Sequence, residues 1–207
     1  MIPCPPLIHK KLEEVVGFPV SRETMSLLFS YLSFLEEESK KYNLIGPKEL
    51  EKIWDRHVLD SAQLYPFLKN TKKFLDVGSG AGLPGVVLSL LGASGAHLLD
   101  SSQKKCQLLE SVSRETGAAF SVLRGRVEAL EGHVFDTVVA RAVAPIETLL
   151  LWCRGVSTFQ TRYLFLKGAS FQEEIDSALQ KASFQYSVSE SLTSSEGKII
   201  SLWNVSF

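Results

Sequence analysis

Cysteine is scarce in this chain: Cys4, Cys106 and Cys153 lie far apart, with no Cys-x-x-Cys pair. An odd set of scattered thiols excludes a disulfide framework and a clustered zinc site, and it suits a reducing compartment. Buried structural thiols are the expectation for all three. His9, His57, His97 and His133 show no ligand spacing, so no metal is expected. A surplus of positive charge is missing too. The formal net charge is -1, so no global field draws in nucleic acid and any basic surface must be local. Long apolar runs are absent. The weakly polar stretch 83–99 is interrupted by glycines, a proline and a histidine, and reads as a buried helix and strand rather than a membrane span. Residues 1–11 carry Pro3, Pro5 and Pro6 and no apolar signal-peptide core, so a soluble cytoplasmic protein without membrane attachment is expected. There is no internal repeat and no low-complexity tract.

What is present falls into two textures. The first third reads as helix. Ser21 can cap a helix with Glu23 in its first turn, and Met25, Leu28, Phe29, Leu32 and Leu35 follow at helical spacing up to the charged run 36–41. After Gly46-Pro47, the residues Leu50, Ile53, Trp54 and Val58 predict a second amphipathic helix. From residue 72 short strands alternate with helices. Strands are expected at 74–77, 96–99, 120–123, 135–140 and 163–166, and helices at 84–91, 104–115, 146–153 and 173–181. That alternation implies a doubly wound α/β fold, a parallel sheet covered on both faces. The stretches 185–189 and 199–205 lack an intervening helix and predict an antiparallel hairpin at one sheet edge. The division expected is a helical segment, 1–70, packed on an α/β domain, 71–207.

The most informative stretch runs Asp76-Val77-Gly78-Ser79-Gly80-Ala81-Gly82-Leu83-Pro84-Gly85 at the end of the first predicted strand. Glycines there permit positive φ and close backbone approach of a ligand, and Pro84 suits the first turn of the next helix. The dinucleotide fingerprint is G-x-G-x-x-G, whereas the spacing here is G-x-G-x-G with Leu83 at the third fingerprint position. Asp76 is poorly placed beside a pyrophosphate and better placed for the ammonium and sulfonium of S-adenosylmethionine. A tight turn without ligand is the alternative. Asp100 ends the second strand, where a carboxylate can accept from ribose hydroxyls; S-adenosylmethionine and NAD both offer a ribose, and a helix cap is the simpler role.

Taken together these residues resemble one family, the bacterial 16S ribosomal RNA guanine-N7 methyltransferases called RsmG or GidB. The resemblance runs over 41–168 and includes Tyr42-Asn43-Leu44, Arg56-His57-Val58-Leu59-Asp60-Ser61, the glycine loop with Leu83-Pro84-Gly85, and Leu98-Leu99-Asp100-Ser101. It continues through Arg126-Val127-Glu128, Arg141-Ala142 and Lys167-Gly168. Ile45 stands where the family usually has threonine, and the outer forty or so residues at each end match weakly. The resemblance implies a class I S-adenosylmethionine-dependent methyltransferase fold, Rossmann-like, with an antiparallel last strand and an N-terminal helical segment. It implies methyl transfer to N7 of a guanine in the 530 loop of 16S rRNA (527 in the usual rRNA numbering). It also places Gly78 and Leu83 at the cofactor from the loop, where Asp76 and Gly80 are candidates from the loop's own composition. Asp100, Ser101 and Ser102 would lie at the ribose, Val127 and Glu128 at the adenine, and Arg141 would complete the site.

Guanine N7 carries an in-plane lone pair, so no general base is needed; Arg141 is expected to orient base or cofactor. Arg56, Lys104, Lys105, Arg124, Arg126 and Lys167 are candidate phosphate ligands, with a solvated surface charge as the plain alternative for each. His57 either contacts RNA or, as the favoured reading, is hydrogen-bonded between helices and sheet. With so little net charge, the expected partner is 16S rRNA within an assembled or partly assembled small ribosomal subunit, and the protein is expected to be a monomer. Rival readings are an NAD-dependent Rossmann oxidoreductase, a methyltransferase of this fold with another substrate, and a domain that binds without catalysis.

Overall fold

Apolar residues recur every four positions at the start of the described chain, and a helix forms there. The computed structural model describes residue 5 and residues 7–42 and 45–207, with only the backbone described at 42, 47 and 48. Cys4 and the Asn43-Leu44 pair of the quoted motif lie outside the described residues. Helix α1 (Ile8–Val16) buries Ile8, Leu12 and Val16 and stops at Gly17, whose left-handed φ of 80° lets its N–H reach back to the Glu13 carbonyl. The prolines ahead of it masked this helix in the sequence. Helix α2 (Arg22–Tyr42) starts where predicted. Ser21 Oγ accepts the Thr24 N–H at 3.1 Å, and the stripe Met25, Leu28, Tyr31, Leu32 and Leu35 is buried. Each leucine so buried contributes about 1.5–3 kcal/mol.

The second amphipathic helix is broken into pieces. A short helix α3 (Pro47–Leu50) precedes a π-helical turn, Trp54–Leu59, and one further turn, α4 (Asp60–Ala62). The wider π turn puts Trp54, Val58 and Leu59 into the core together while Arg56 stays exposed.

The α/β part follows the predicted alternation, with boundaries moved by one or two residues. Its elements are β1 (Phe74–Val77), α5 (Gly85–Leu90), β2 (Ala96–Asp100), α6 (Gln103–Thr116), β3 (Phe120–Arg124) and β4 (Thr137–Arg141). They continue with α7 (Ile146–Trp152), β5 (Arg162–Lys167), α8 (Phe171–Leu179), β6 (Ser183–Glu190) and β7 (Lys198–Ser206). The seven strands lie in the order β3-β2-β1-β4-β5-β7-β6. The first five are parallel, and β7 inserts antiparallel between β5 and β6. The predicted hairpin therefore closes the sheet, with its second strand on the inside. That position suits the sequences: Ile199, Ile200, Ser201 and Leu202 are buried in β7, whereas β6 is largely exposed.

Two apolar clusters cover the sheet. One joins α1, α2 and the π turn to α5, α6 and residues of the sheet; the other joins α7, α8 and the hairpin to the opposite face. The helical segment thus shares a single core with the sheet. Among the described residues no helix is long and apolar enough to cross a membrane.

Candidate active site

The strand order reverses between β1 and β4, and a doubly wound sheet opens a crevice at the carboxyl ends of the strands at such a switch point. The glycine loop emerges there. Gly78, Gly80 and Gly82 take φ of 70°, 58° and 104°, a region that side chains with a Cβ rarely adopt. Space forbids a side chain as well. A Cβ on Gly78 would lie 2.8 Å from Val143 Cγ2, and one on Gly82 would lie 2.5 Å from Val86 Cγ2. The loop is tied from below, since the Ser79 N–H donates to the Leu99 carbonyl at 2.9 Å and Ser79 Oγ donates to the Asp76 carbonyl at 2.9 Å. From above, the fully buried Tyr31 of α2 donates its hydroxyl to the Ala81 carbonyl at 2.9 Å.

The two carboxylates of the motif face inward. Asp76 is fully buried; one oxygen accepts the Gly85 N–H at 2.9 Å and Oδ1 has no hydrogen-bond partner. A Cβ on Gly85 would come within 2.5 Å of that carboxylate, so only glycine fits. Burial lifts the Asp76 pKa to about 7 against the opposing hydrogen bond of Gly85 and the charge of Arg141. Asp100 braces the loop: its oxygens accept the Gly80 N–H at 3.0 Å and the Ser102 N–H at 2.8 Å, with Lys105 Nζ at 3.5 Å. It serves as loop brace and helix-start acceptor at once, and it still lines the crevice. Cys106, beneath it, donates to the Asp100 carbonyl and is a buried thiol, as is Cys153.

Two cavities adjoin at this edge. The smaller, about 230 Å³, is lined by Gly78, Asp100, Ser101, Lys105, Arg126, Val127 and Glu128 together with Leu99, Val143 and Trp152. The larger, about 740 Å³, is lined by Glu49, Arg56, His57, Asp60, Arg141, Lys167, Glu174 and the hairpin residues Ser191, Thr193 and Glu196. Ala142 and Val143 stand in the wall of both. Gly78, Asp100, Ser101, Val127 and Glu128 therefore gather in one crevice. Asp76, Gly80, Leu83 and Ser102 shape the loop from behind without lining either cavity, and Arg141 lines the larger one. Of the candidate phosphate ligands, Arg56 and Lys167 face the large cavity and Lys105 and Arg126 the small one, while Lys104 and Arg124 line neither.

Arg141 is held on three sides. Nη1 donates to the Arg56 carbonyl at 3.0 Å and to Asp60 Oδ2 at 3.3 Å, and Nη2 donates to His57 Nδ1 at 2.9 Å. Because a guanidinium only donates, Nδ1 must accept, which leaves the ring proton on Nε2. Burial, with Arg141 adding to it, takes the His57 pKa down to about 4, so the ring is neutral. His57 is hydrogen-bonded between the π turn and β4, and it also lines the larger cavity. Lys167 is also engaged: Nζ lies 2.7 Å from Glu174 and donates to the Ala144 carbonyl at 2.6 Å. Asp60, Thr193, Val143 and Tyr31 were missed as site residues. Asp60 alone carried a signal, since it lies within the quoted motif at 56–61.

A protein-family model described as GidB, rRNA small subunit methyltransferase G, matches residues 24–202. That match extends past 41–168 at both ends, into α2 and the hairpin. A ribosomal RNA small subunit methyltransferase G of Paramagnetospirillum magneticum is 42% identical over 134 residues, covering 64% of this chain and 65% of the relative. One from Methylorubrum populi is 41% identical over 145 residues, covering 67% and 69%. The chain thus spans about two thirds of the length of these relatives, just under that for the first. Among solved structures, a ribosomal protein L11 methylase of Lactobacillus delbrueckii subsp. bulgaricus superposes with a TM-score of 0.61 at 17% identity, over 72% of this chain and 78% of that one. An O-methyltransferase of Bacillus cereus in complex with SAH gives 0.56 at 12% identity, over 95% and 96%. At such identities the likeness concerns fold alone. The fold is the class I methyltransferase fold.

Proposed function

From membership of the rRNA small subunit methyltransferase G family, to which this chain belongs, we propose that it transfers a methyl group from S-adenosylmethionine to N7 of a guanine in the 530 loop of 16S rRNA. The observation that carries this reading is the pair of cavities with a common Ala142–Val143 wall. One is a crevice on a glycine loop at the switch point, sized for part of a nucleoside. The other is wide enough for a base presented from outside. The lining fits an adenosyl group: Gly78 and Ser101, the Asp100 carboxylate, and Val127 with Glu128. When bound, the cofactor supplies an electrophilic methyl carbon on a sulfonium.

The chain's own residues then have limited work. N7 offers its lone pair without losing a proton, so no residue acts as a base. What matters is holding nucleophile and methyl in line at roughly 3–3.5 Å, with water kept out. Val143 and Trp152 give the crevice apolar surface, and Arg141, at the carboxyl end of β4, fixes the wall between the cavities. Arg56 and Arg126 are exposed and line the larger and smaller cavity respectively, and they are the cations that would meet phosphates of a structured RNA. The small ribosomal subunit is the substrate form that supplies such a fold.

Transfer of a tritiated methyl group from the cofactor to small subunits lacking the modification, mapped to one base, tests the reading. Label confined to that guanine is expected. Label on protein, or on no RNA position, sinks it. Arg141→Ala is expected to lower the single-turnover rate at least about a hundredfold; a rate near the parent's would remove Arg141 from the site.

A further inference from the structure

The structure points to a role for a residue outside the cofactor crevice. We propose that Asp60 is a positioning residue, a latch that sets the wall between the two cavities and anchors the hairpin loop bordering the larger one. The proposal rests on the methyl-transfer reading above for its catalytic consequence. The latch itself is visible in the contacts. Asp60 Oδ2 accepts Arg141 Nη1 at 3.3 Å. Oδ1 accepts Thr193 Oγ1 at 2.8 Å and Gln63 Nε2 at 2.8 Å. Gln63 in turn receives the Leu192 N–H on Oε1 at 2.9 Å and donates to Ser191 Oγ at 3.1 Å. One carboxylate therefore joins the helical segment, the end of β4 and the β6–β7 loop.

Its reach into the site is short. Arg141 is followed by Ala142, in the left-handed region at φ 54°, and by Val143, which packs against Gly78 of the glycine loop. A shift of Arg141 moves this pair, and the pair is the partition between the cavities. Asp60 and Arg141 are both mostly shielded, at 20% and 17% side-chain exposure, so their attraction is weakly screened. The Asp60 carboxylate accepts a hydrogen bond on each oxygen, and it lines the larger cavity and not the cofactor crevice. It acts through others and touches no reacting atom.

Asp60→Asn keeps an acceptor for Thr193 and Gln63 and removes the charge that holds Arg141. With the variant, cofactor affinity by calorimetry is expected within about threefold of the parent, while the single-turnover rate at saturating subunits falls about 10- to 100-fold. A spectroscopic readout accompanies it. His57 faces Arg141, Arg56 and Glu49, and its ring nitrogens, followed by ¹⁵N NMR, should report release of Arg141 as a titration midpoint raised by about one unit. Thr193→Val removes the direct tie between Asp60 and the loop and leaves the ties through Gln63. It should raise KM for subunits about threefold or more and leave the His57 spectrum unchanged. An unaltered His57 spectrum and rate in Asp60→Asn would overturn the latch, as would a loss of cofactor binding and melting temperature in step with the rate. A Thr193→Val variant with parental KM would overturn the hairpin half. A parent protein that methylates no rRNA would sink the reading of function instead, with the His57 spectrum still deciding the latch.

Discussion

At the scale of the residue, Asp76 combines a full burial with one unpartnered oxygen, and its titration follows. Burial raises its folded pKa from 3.8 to about 7. The native state therefore holds a proton that the unfolded chain has already released, so this group's contribution is fully present below the unfolded value and is lost as pH rises toward 7. Asp76→Asn cannot titrate, yet its amide oxygen can still accept the Gly85 N–H. Urea unfolding at several pH values should show the variant gaining on the parent between about pH 4 and 7, by on the order of a few kcal/mol, and then running parallel above that. Parallel curves throughout would mean that the buried carboxyl is not the source. The position was legible in the sequence and its orientation was not. A carboxylate two residues before the first glycine reads as a ligand for a cation, but the register of β1 turns it into the core beneath Gly85. Asp100 was read more closely. It ends β2 as expected, and it braces Gly80 as well as facing the crevice.

Elements position these residues, and α2 does so most directly. Its stripe of Leu28, Tyr31, Leu32 and Leu35 packs with Leu83, Leu109 and Val112, and Tyr31 reaches the loop carbonyl of Ala81. Burial pushes the Tyr31 phenol far up, so it remains a hydrogen-bond donor at every pH at which the fold persists. Tyr31→Phe should cost about 0.5–1.5 kcal/mol in chemical unfolding, and it should weaken cofactor binding by calorimetry several-fold because the loop loses its upper tie. Unchanged affinity with reduced stability would confine Tyr31 to packing. The sequence predicted α2 from period and cap, with Phe29 in the stripe where the structure buries Tyr31. The segment at 47–62 misled for a different reason. Apolar spacing there fits a regular helix, but Trp54, Val58 and Leu59 bury together only when the backbone widens into a π turn.

At the scale of the molecule, the helical segment and the sheet share one apolar cluster that runs from Ile8 to Ile199. A chain of residues 71–207 alone would expose the surface of α5 and α6 that α2 covers. It is expected to lack a cooperative thermal transition and to self-associate on size-exclusion chromatography, since each uncovered leucine forfeits about 1.5–3 kcal/mol. A sharp transition from that fragment would establish the sheet as an independent folding unit.

What the sequence determined by itself was local: the alternation of elements, the glycine spacing, the acids near the strand ends and the edge hairpin. These follow because hydrophobic period and backbone sterics act within a few residues. The tertiary structure alone decided which of those residues face a cavity, and that Asp60 meets Arg141 81 positions on and Thr193 133 positions on. Contacts at such separations depend on how whole faces pack, and no periodicity along the chain encodes which side chains then meet.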